Sequence, residues 1–170
     1  MEKDLIFITG SASDSDNAKK VTKIWDDINI NYRCNIASCH KHGGGDFAKF
    51  ILNIQEKLIV FMGGMSLAAP GLIEVLNKKA KKYDTIVFGI PTDKAAMSAI
   101  QDLPKGTAII TSGLNQVSLT HSLINSALAT SRLAGMISND LDTKKRIATG
   151  QRKWYQKNWD ENPMEINILF

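Results

Sequence analysis

The sequence has few cysteines, no long apolar run and no dominant charge. Two of its 170 residues are cysteine, Cys34 and Cys39. Two thiols cannot form a disulfide framework, and no second Cys or His cluster has the spacing of a zinc site. No stretch approaches the roughly 20 continuous apolar residues that a membrane helix needs. Residues 1–4 are charged and lead straight into a strand-like segment, so we expect no signal peptide. These absences predict a cytoplasmic protein with reduced thiols, no metal and no membrane association.

The net charge of +4 and the pI near 9.0 raise the question of nucleic-acid binding. The lysines fall in short runs such as 78–82, late in a predicted helix, where cations complement the helix dipole. No aromatic residues interleave with them, as a stacking surface for single strands would require. The pattern favours a solvated helix end over a nucleic-acid surface. A modest positive field also suits a small anionic substrate.

Strand-like and helix-like segments alternate along the chain. Strands are predicted at 5–9, 58–62, 85–90 and 107–111, and at 32–37, where apolar and polar residues alternate loosely. Helical periodicity predicts intervening helices, of which the first is capped by Ser13 or Asp14, the second by Asp46, and the third runs from Pro70 to about Lys82. Two more are predicted at 95–101 and 118–133. This alternation predicts an α/β fold, a doubly wound, flavodoxin-like parallel sheet between two helical layers.

The α/β domain is predicted to cover residues 1–137, followed by a C-terminal helix and tail at 138–170. Residues 138–157 are polar and read as a helix. Residues 166–170 are too apolar to sit freely in water, so we expect the tail to dock, on a neighbouring subunit.

Three polar or glycine-rich segments follow the first three strands, at 10–14, 38–45 and 63–71. In doubly wound sheets, ligands bind beyond the carboxyl ends of the strands. Segment 10–14 leads into a helix, and its backbone N–H groups and hydroxyls can bind an anion. Asp14 can accept hydrogen bonds from ribose hydroxyls. An ordinary helix cap is the other interpretation. The segment lacks the P-loop lysine and the three-glycine dinucleotide fingerprint.

The second segment places His40 and Lys41 at a strand end, where an imidazole can move protons near an anion. A polar loop with an exposed histidine is the alternative. Cys39 reads as a small buried packing residue rather than a nucleophile. The glycines of segment 63–71 permit close backbone approach to a ligand, or simply connect a strand to a helix. His121 lies within a predicted helix and reads as a packing or surface residue.

Together, the Gly-Ser-x-Ser-Asp start, the Ser-x-His-Lys segment and the loop ending in Pro70-Gly71 resemble the phosphoribosylaminoimidazole carboxylases and the related N5-carboxyaminoimidazole ribonucleotide mutases. The resemblance spans roughly residues 5–133. It implies a carboxy-lyase of purine biosynthesis that takes a ribonucleotide and CO2, needs no cofactor and assembles as a homo-oligomer, an octamer. It implies His40 as general acid–base. The implied substrate-binding residues are Gly10, Ser11, Ser13, Asp14, Ser38, Lys41, Gly63, Gly64, Met65, Ser66 and Leu67.

Within that family, Lys41 after the histidine and the lack of a histidine in 63–71 resemble class II, which carboxylates aminoimidazole ribonucleotide directly with CO2. The mutases of the family usually carry Arg immediately after the first histidine, where this chain has Lys41, and a second histidine in the third loop. The chain departs from the family at Cys39, usually Ala, at His42-Gly43, usually a Pro-containing pair, and in the third loop, where class II usually has Gly-Arg-Ser-Asn. Three alternatives stay open: a mutase, a relative acting on another heterocycle such as a pyridinium dinucleotide, where a cysteine matters, and a non-catalytic ribonucleotide-binding protein.

Overall fold

A five-stranded parallel sheet forms the centre of the protein, with strand order β2-β1-β3-β4-β5. The computed structural model describes residues 3–65, 67–115 and 118–159. The strands are β1 (Leu5–Thr9), β2 (Tyr32–Ile36), β3 (Leu58–Gly63), β4 (Ile86–Pro91) and β5 (Ile109–Ile110). This order is that of flavodoxin-like sheets, with the switch point between β1 and β3. The predicted fold class is confirmed.

Helices cover both faces of the sheet. Packed on one face are α1 (Ser15–Ile28), α5 (Leu119–Ile137) and α6 (Leu141–Trp159). Packed on the other are α2 (Gly44–Leu52), α3 (Ala69–Lys79) and α4 (Lys94–Gln101). Successive strand residues point to opposite faces, so every residue of β1 is buried, on one side or the other.

Trp25 of α1 anchors the first of these two layers. Its ring is fully buried and meets the Phe7 ring edge-on, with centroids 5.0 Å apart. Its Nε1 donates to the carbonyl oxygen of Ala127 and to Oγ1 of Thr130, both at 3.1 Å. The buried indole N–H is therefore satisfied, and α1 is tied to α5.

The helical part of the predicted C-terminal tail lies on its own subunit. Ile147 and Trp154 of α6 are buried in the core that α1 and α5 share. Arg146 forms a salt bridge with the buried carboxylate of Asp4, at 2.8 Å. Docking of the tail on a neighbouring subunit stays a prediction for residues 160–170, which fall outside the described part of the chain. None of the helices in the described ranges combines the length and apolarity needed to cross a bilayer.

Two predicted caps differ from the structure. Helix α2 begins at Gly44, so Asp46 lies in its first turn, and the cap position is Gly43, with φ of 74°. Asp14 does occupy the N-cap of α1, but its side chain makes no capping hydrogen bond. The hydroxyl of Ser11 instead accepts from the backbone N–H of Ser13 and caps a short 3₁₀ turn before α1. The Asp14 side chain therefore does not cap α1 and instead lines the site cavity.

The lysine run at 78–82 is not simply a solvated helix end. Helix α3 ends at Lys79, three residues before the predicted boundary. Lys82 then folds back, and its Nζ donates to the carbonyl oxygens of Leu52 and Ile54, both at 2.7 Å. This ammonium satisfies carbonyls at the end of α2. The predicted fifth strand exists but is shortened to Ile109–Ile110.

Candidate active site

The carboxyl ends of β1, β2 and β3 border one cavity of about 490 Å³. Every predicted site residue within the described ranges lines it: Gly10, Ser11, Ser13, Asp14, Ser38, His40, Lys41, Gly63, Gly64, Met65 and Leu67. Cys39, Phe61 and Ala69 complete the lining. Ser66 lies outside the described residues. The fold therefore brings together three loops that are far apart in sequence.

One end of the cavity carries a cluster of hydroxyl groups and an ammonium group. The Ser11 hydroxyl accepts hydrogen bonds from Lys41 Nζ and from Ser13 Oγ, each at 3.0 Å. Because Ser11 accepts both bonds, its own proton remains available to an incoming acceptor. Together, the hydroxyls, the ammonium group and the 3₁₀ turn form a site suited to a phosphate group.

Asp14 lies beside this cluster, half-buried. Burial raises the pKa of its carboxyl above the ordinary value, and the charge of Asp93 acts in the same direction. A backbone hydrogen bond at Ser11 and the charge of Lys41 oppose the rise without cancelling it. In the folded protein the ionised form of this carboxyl is less favourable than in water. An ionisable group perturbed in this way at a cavity wall is typical of a functional site.

We expect Asp14→Asn to stabilise the fold at neutral pH. A carboxyl whose folded pKa is raised favours folding less once it ionises, so the variant's gain is full above the folded pKa and vanishes below about pH 4. Ribonucleotide binding should weaken in the same variant, because an anionic acceptor is lost. Thermal melts at pH 7 and pH 3.5, with a binding titration at pH 7, check both effects. A variant that is less stable than wild type at pH 7 would contradict this account of Asp14.

The second loop is closed into a tight turn by its own side chains. The Ser38 hydroxyl accepts from the backbone N–H of Lys41 at 3.2 Å. His42 donates its backbone N–H to the Ser38 carbonyl at 3.1 Å, and its ring Nδ1 accepts from the Ser38 N–H at 3.0 Å. His42 was not predicted as a site residue. Its role in the turn follows from a three-dimensional contact that its position in the sequence does not indicate.

His40 is exposed at the cavity, and the Sγ atom of Cys39 lies 3.4 Å from its Nδ1. Cys39 is half-buried against the core rather than fully buried as predicted. His121, predicted as a packing or surface residue, is exposed on α5 and is not among the described residues that line the cavity.

The third loop has an unusual backbone at Met65, whose φ is 52°. Asp93, at the end of β4, holds this residue: its Oδ2 accepts from the Met65 N–H at 2.6 Å. Sequence reasoning missed Asp93. An aspartate just before a predicted helix is a capping signal, but nothing in the sequence points to its second contact. In the ranges described, no group of three or more His, Cys, Asp or Glu side chains is arranged to hold a metal ion.

Comparison with known proteins identifies relatives along most of the chain. The family model for AIR carboxylase matches residues 4–155. A relative from Methanothermobacter thermautotrophicus, named probable N5-carboxyaminoimidazole ribonucleotide mutase, is 24% identical over 164 residues. The match covers 92% of this chain and 45% of that protein, so the chain spans about half the length of the curated relative it matches.

Two solved structures share the fold. PurE from Treponema denticola is 20% identical, with a TM-score of 0.64, and the match covers 90% of this chain and 92% of that one. A PurE2 variant from the same organism is 19% identical, with a TM-score of 0.63 and coverage of 90% and 91%.

Proposed function

The chain belongs to the AIR carboxylase family, and on that basis we propose that it carboxylates 5-aminoimidazole ribonucleotide at ring carbon 4, using CO2 and no ATP. The product is carboxyaminoimidazole ribonucleotide, an intermediate of purine biosynthesis. The observation that carries the proposal is the single cavity around which three loops gather the predicted site residues. Its volume of about 490 Å³ lies within the range of roughly 300–1,000 Å³ typical of small-molecule sites.

The polar end of the cavity is suited to the ribose phosphate. Lys41 supplies a positive charge and Ser11 a free hydroxyl proton, and Ser13, which donates to Ser11, completes the hydrogen-bonded cluster. Asp14, beside the cluster, can accept from the ribose hydroxyls. These contacts form with substrate and transition state alike, so we assign them to binding rather than to rate.

The chemistry needs one proton transfer. The amino group makes the imidazole ring an enamine, so carbon 4 can attack CO2 and form the new carbon–carbon bond. The proton on carbon 4 must then leave, returning its electron pair to the ring. We assign that proton to His40, since an imidazole is the side chain that most often serves as a general acid–base in enzymes. Because Cys39 Sγ contacts Nδ1, the nitrogen assigned to this transfer is Nε2.

Part of the cavity wall is apolar and can exclude water from the CO2 site. Phe61 and Leu67 line the cavity and are almost fully buried, at 2% and 3% exposure. Gly63 and Gly64 offer backbone without side chains. A surface of this kind suits a small, uncharged gas molecule.

A second candidate is the mutase reaction, which moves a carboxylate within N5-carboxyaminoimidazole ribonucleotide. The name of the Methanothermobacter relative supports it. Direct carboxylation is favoured by Lys41 after His40 and by a third loop, residues 63–71, whose sequence contains no histidine. A second histidine there is what the mutases of the family usually add.

The two reactions are separated by offering each substrate alone. With aminoimidazole ribonucleotide, turnover should rise with bicarbonate and need no ATP. In CO2-depleted buffer, N5-carboxyaminoimidazole ribonucleotide should be consumed only as fast as it decays to the free amine. Rapid conversion in that buffer would assign the chain to the mutases.

We also propose that the chain assembles as a homo-oligomer larger than a dimer, an octamer as the family resemblance implies. Ile36 and Ile110, on the two edge strands, and Met136 and Leu141, at the α5–α6 junction, expose 42–74% of their surface. Light scattering should give a mass well above that of a dimer, and a stable monomer at micromolar concentration would refute the proposal. The role of the tail is tested by removing residues 160–170, since a cut at 138 would strip Ile147 and Trp154 from the core.

A further inference from the structure

Asp93 joins the third loop of the site to the start of α4. It is the N-cap residue of α4, and its Oδ1 accepts from the backbone N–H of Ala96 at 2.8 Å. Its Oδ2 accepts from the Met65 N–H at 2.6 Å. Each carboxylate oxygen therefore has one backbone partner, and the two partners belong to different elements.

The backbone around Met65 shows why the loop needs an external hold. Met65 is a non-glycine residue with a left-handed φ of 52°, a conformation that costs free energy for most side chains. A charge-assisted hydrogen bond from a carboxylate can offset that cost. A further backbone bond, from the Thr92 N–H to the Gly63 carbonyl at 3.0 Å, fixes the start of the loop against the same segment.

The packing of Gly64 against Asp93 is close. A Cβ at Gly64 would lie 2.5 Å from Asp93 Oδ2 and 3.0 Å from Thr92 Oγ1. The absence of a side chain at Gly64 is thus what lets the carboxylate reach past it to Met65. Gly64, Met65 and Leu67 line the cavity, whereas Asp93 is not among the described residues of its lining and stands behind the loop.

We propose that Asp93 is a positioning residue that fixes residues 63–65 of the third loop in the shape that borders the substrate cavity. It acts through the backbone of Met65, at the wall assigned above to CO2. The expected effect of Asp93 on turnover rests on the proposed function. The charge of Asp93 also reaches across the cavity, where it contributes, after burial, to the raised pKa of Asp14.

Serine at position 93 separates this role from helix capping. Asp and Ser are comparably good N-cap residues, so Asp93→Ser should keep the α4 cap and the stability that the cap contributes. The serine side chain is one bond shorter than that of aspartate, so an oxygen that caps Ala96 does not reach the Met65 N–H, and the loop contact is lost. Asp93→Ala loses both contacts, and its additional loss of stability relative to Asp93→Ser measures the cap.

The test combines amide hydrogen exchange at Met65 with turnover of aminoimidazole ribonucleotide and bicarbonate. Asp93→Ser should exchange the Met65 amide faster, melt between wild type and Asp93→Ala, and lose roughly ten- to hundredfold in kcat/KM, as expected for a hydrogen bond to a charged group. The acid limb of substrate binding should also move to lower pH, because Asp14, which faces both Lys41 and Asp93, would lose a neighbouring negative charge.

Unchanged exchange at Met65, or faster exchange with wild-type kcat/KM, would overturn the inference. If the wild-type protein shows no turnover, the proposed function fails, and Met65 exchange in Asp93→Ser still decides whether Asp93 holds the loop. Gly64→Ala provides a second test. Its Cβ would displace the carboxylate, so it should impair turnover strongly in wild type and less in the Asp93→Ser background, where the clash with Oδ2 is absent.

Discussion

His40→Asn is expected to lower kcat by roughly 10²–10⁴, the range for loss of a general acid–base. Asparagine keeps the approximate shape and polarity of the side chain but cannot take a proton. His40 is exposed at the cavity, so the fold should tolerate the change and ribonucleotide binding should persist. Steady-state kinetics with aminoimidazole ribonucleotide and bicarbonate, together with a binding titration, measure the two effects separately.

Two other variants sharpen that result. Lys41→Ala should chiefly raise KM, because a phosphate contact made in both ground and transition states adds to binding rather than to rate. His121→Asn, an exposed histidine on α5, should match wild type in both constants. A His40 variant with normal kcat, or a Lys41 variant with normal KM, would remove these residues from their assigned roles. A large loss from Cys39→Ala alone would instead favour chemistry on another heterocycle.

Gly150→Ala should destabilise the protein by about 2–3 kcal/mol, the upper part of the range for an overpacked core. Gly150 is buried where α6 crosses the end of α1. A Cβ there would overlap the carbonyl oxygen of Ile28 and lie 2.6 Å from its carbonyl carbon. Backbone atoms cannot move aside as a side chain can, so α6 must shift away and partly expose Trp154. Urea unfolding and tryptophan fluorescence report the change.

Gly135→Ala is the matched control for that substitution. Gly135 also lies in a helix near α6, but a Cβ there would meet only the Ile147 side chain, at 3.4 Å. Alanine is favoured over glycine inside a helix by up to about 1 kcal/mol. The control should therefore be neutral or slightly more stable than wild type. Equal effects at both positions would mean that α6 does not pack on Ile28 as described.

The centre of the sheet was predictable because β1, β3 and β4 are buried on both faces and appear in the sequence as continuous apolar runs. Leu58–Gly63 is buried throughout and is bounded by glycine, so its type was clear from the sequence. Helix ends were harder. Asp46 and Lys82 carry side chains typical of a helix end, but backbone conformation at Gly43 and tertiary contacts of Lys82 moved both boundaries.

The sequence indicated which three loops form the site, but it did not indicate the hydrogen bonds that hold those loops in place. The rule that ligands bind beyond the carboxyl ends of parallel strands correctly indicated residues 10–14, 38–41 and 63–65 and Leu67 as neighbours. The contacts of His42 with Ser38, and of Asp93 with Met65, depend on how loops fold back on themselves. Such hydrogen bonds between side chain and backbone have no period or composition by which a single sequence would show them.

Labelled bicarbonate tests the central claim most directly. The protein is incubated with aminoimidazole ribonucleotide and ¹³C-bicarbonate in the absence of ATP, and the product is followed by ¹³C NMR. Direct carboxylation predicts a labelled carboxylate bonded to ring carbon 4, formed faster than without protein and nearly abolished by His40→Asn. No label above the protein-free rate, from folded protein that binds the ribonucleotide, would contradict the claim.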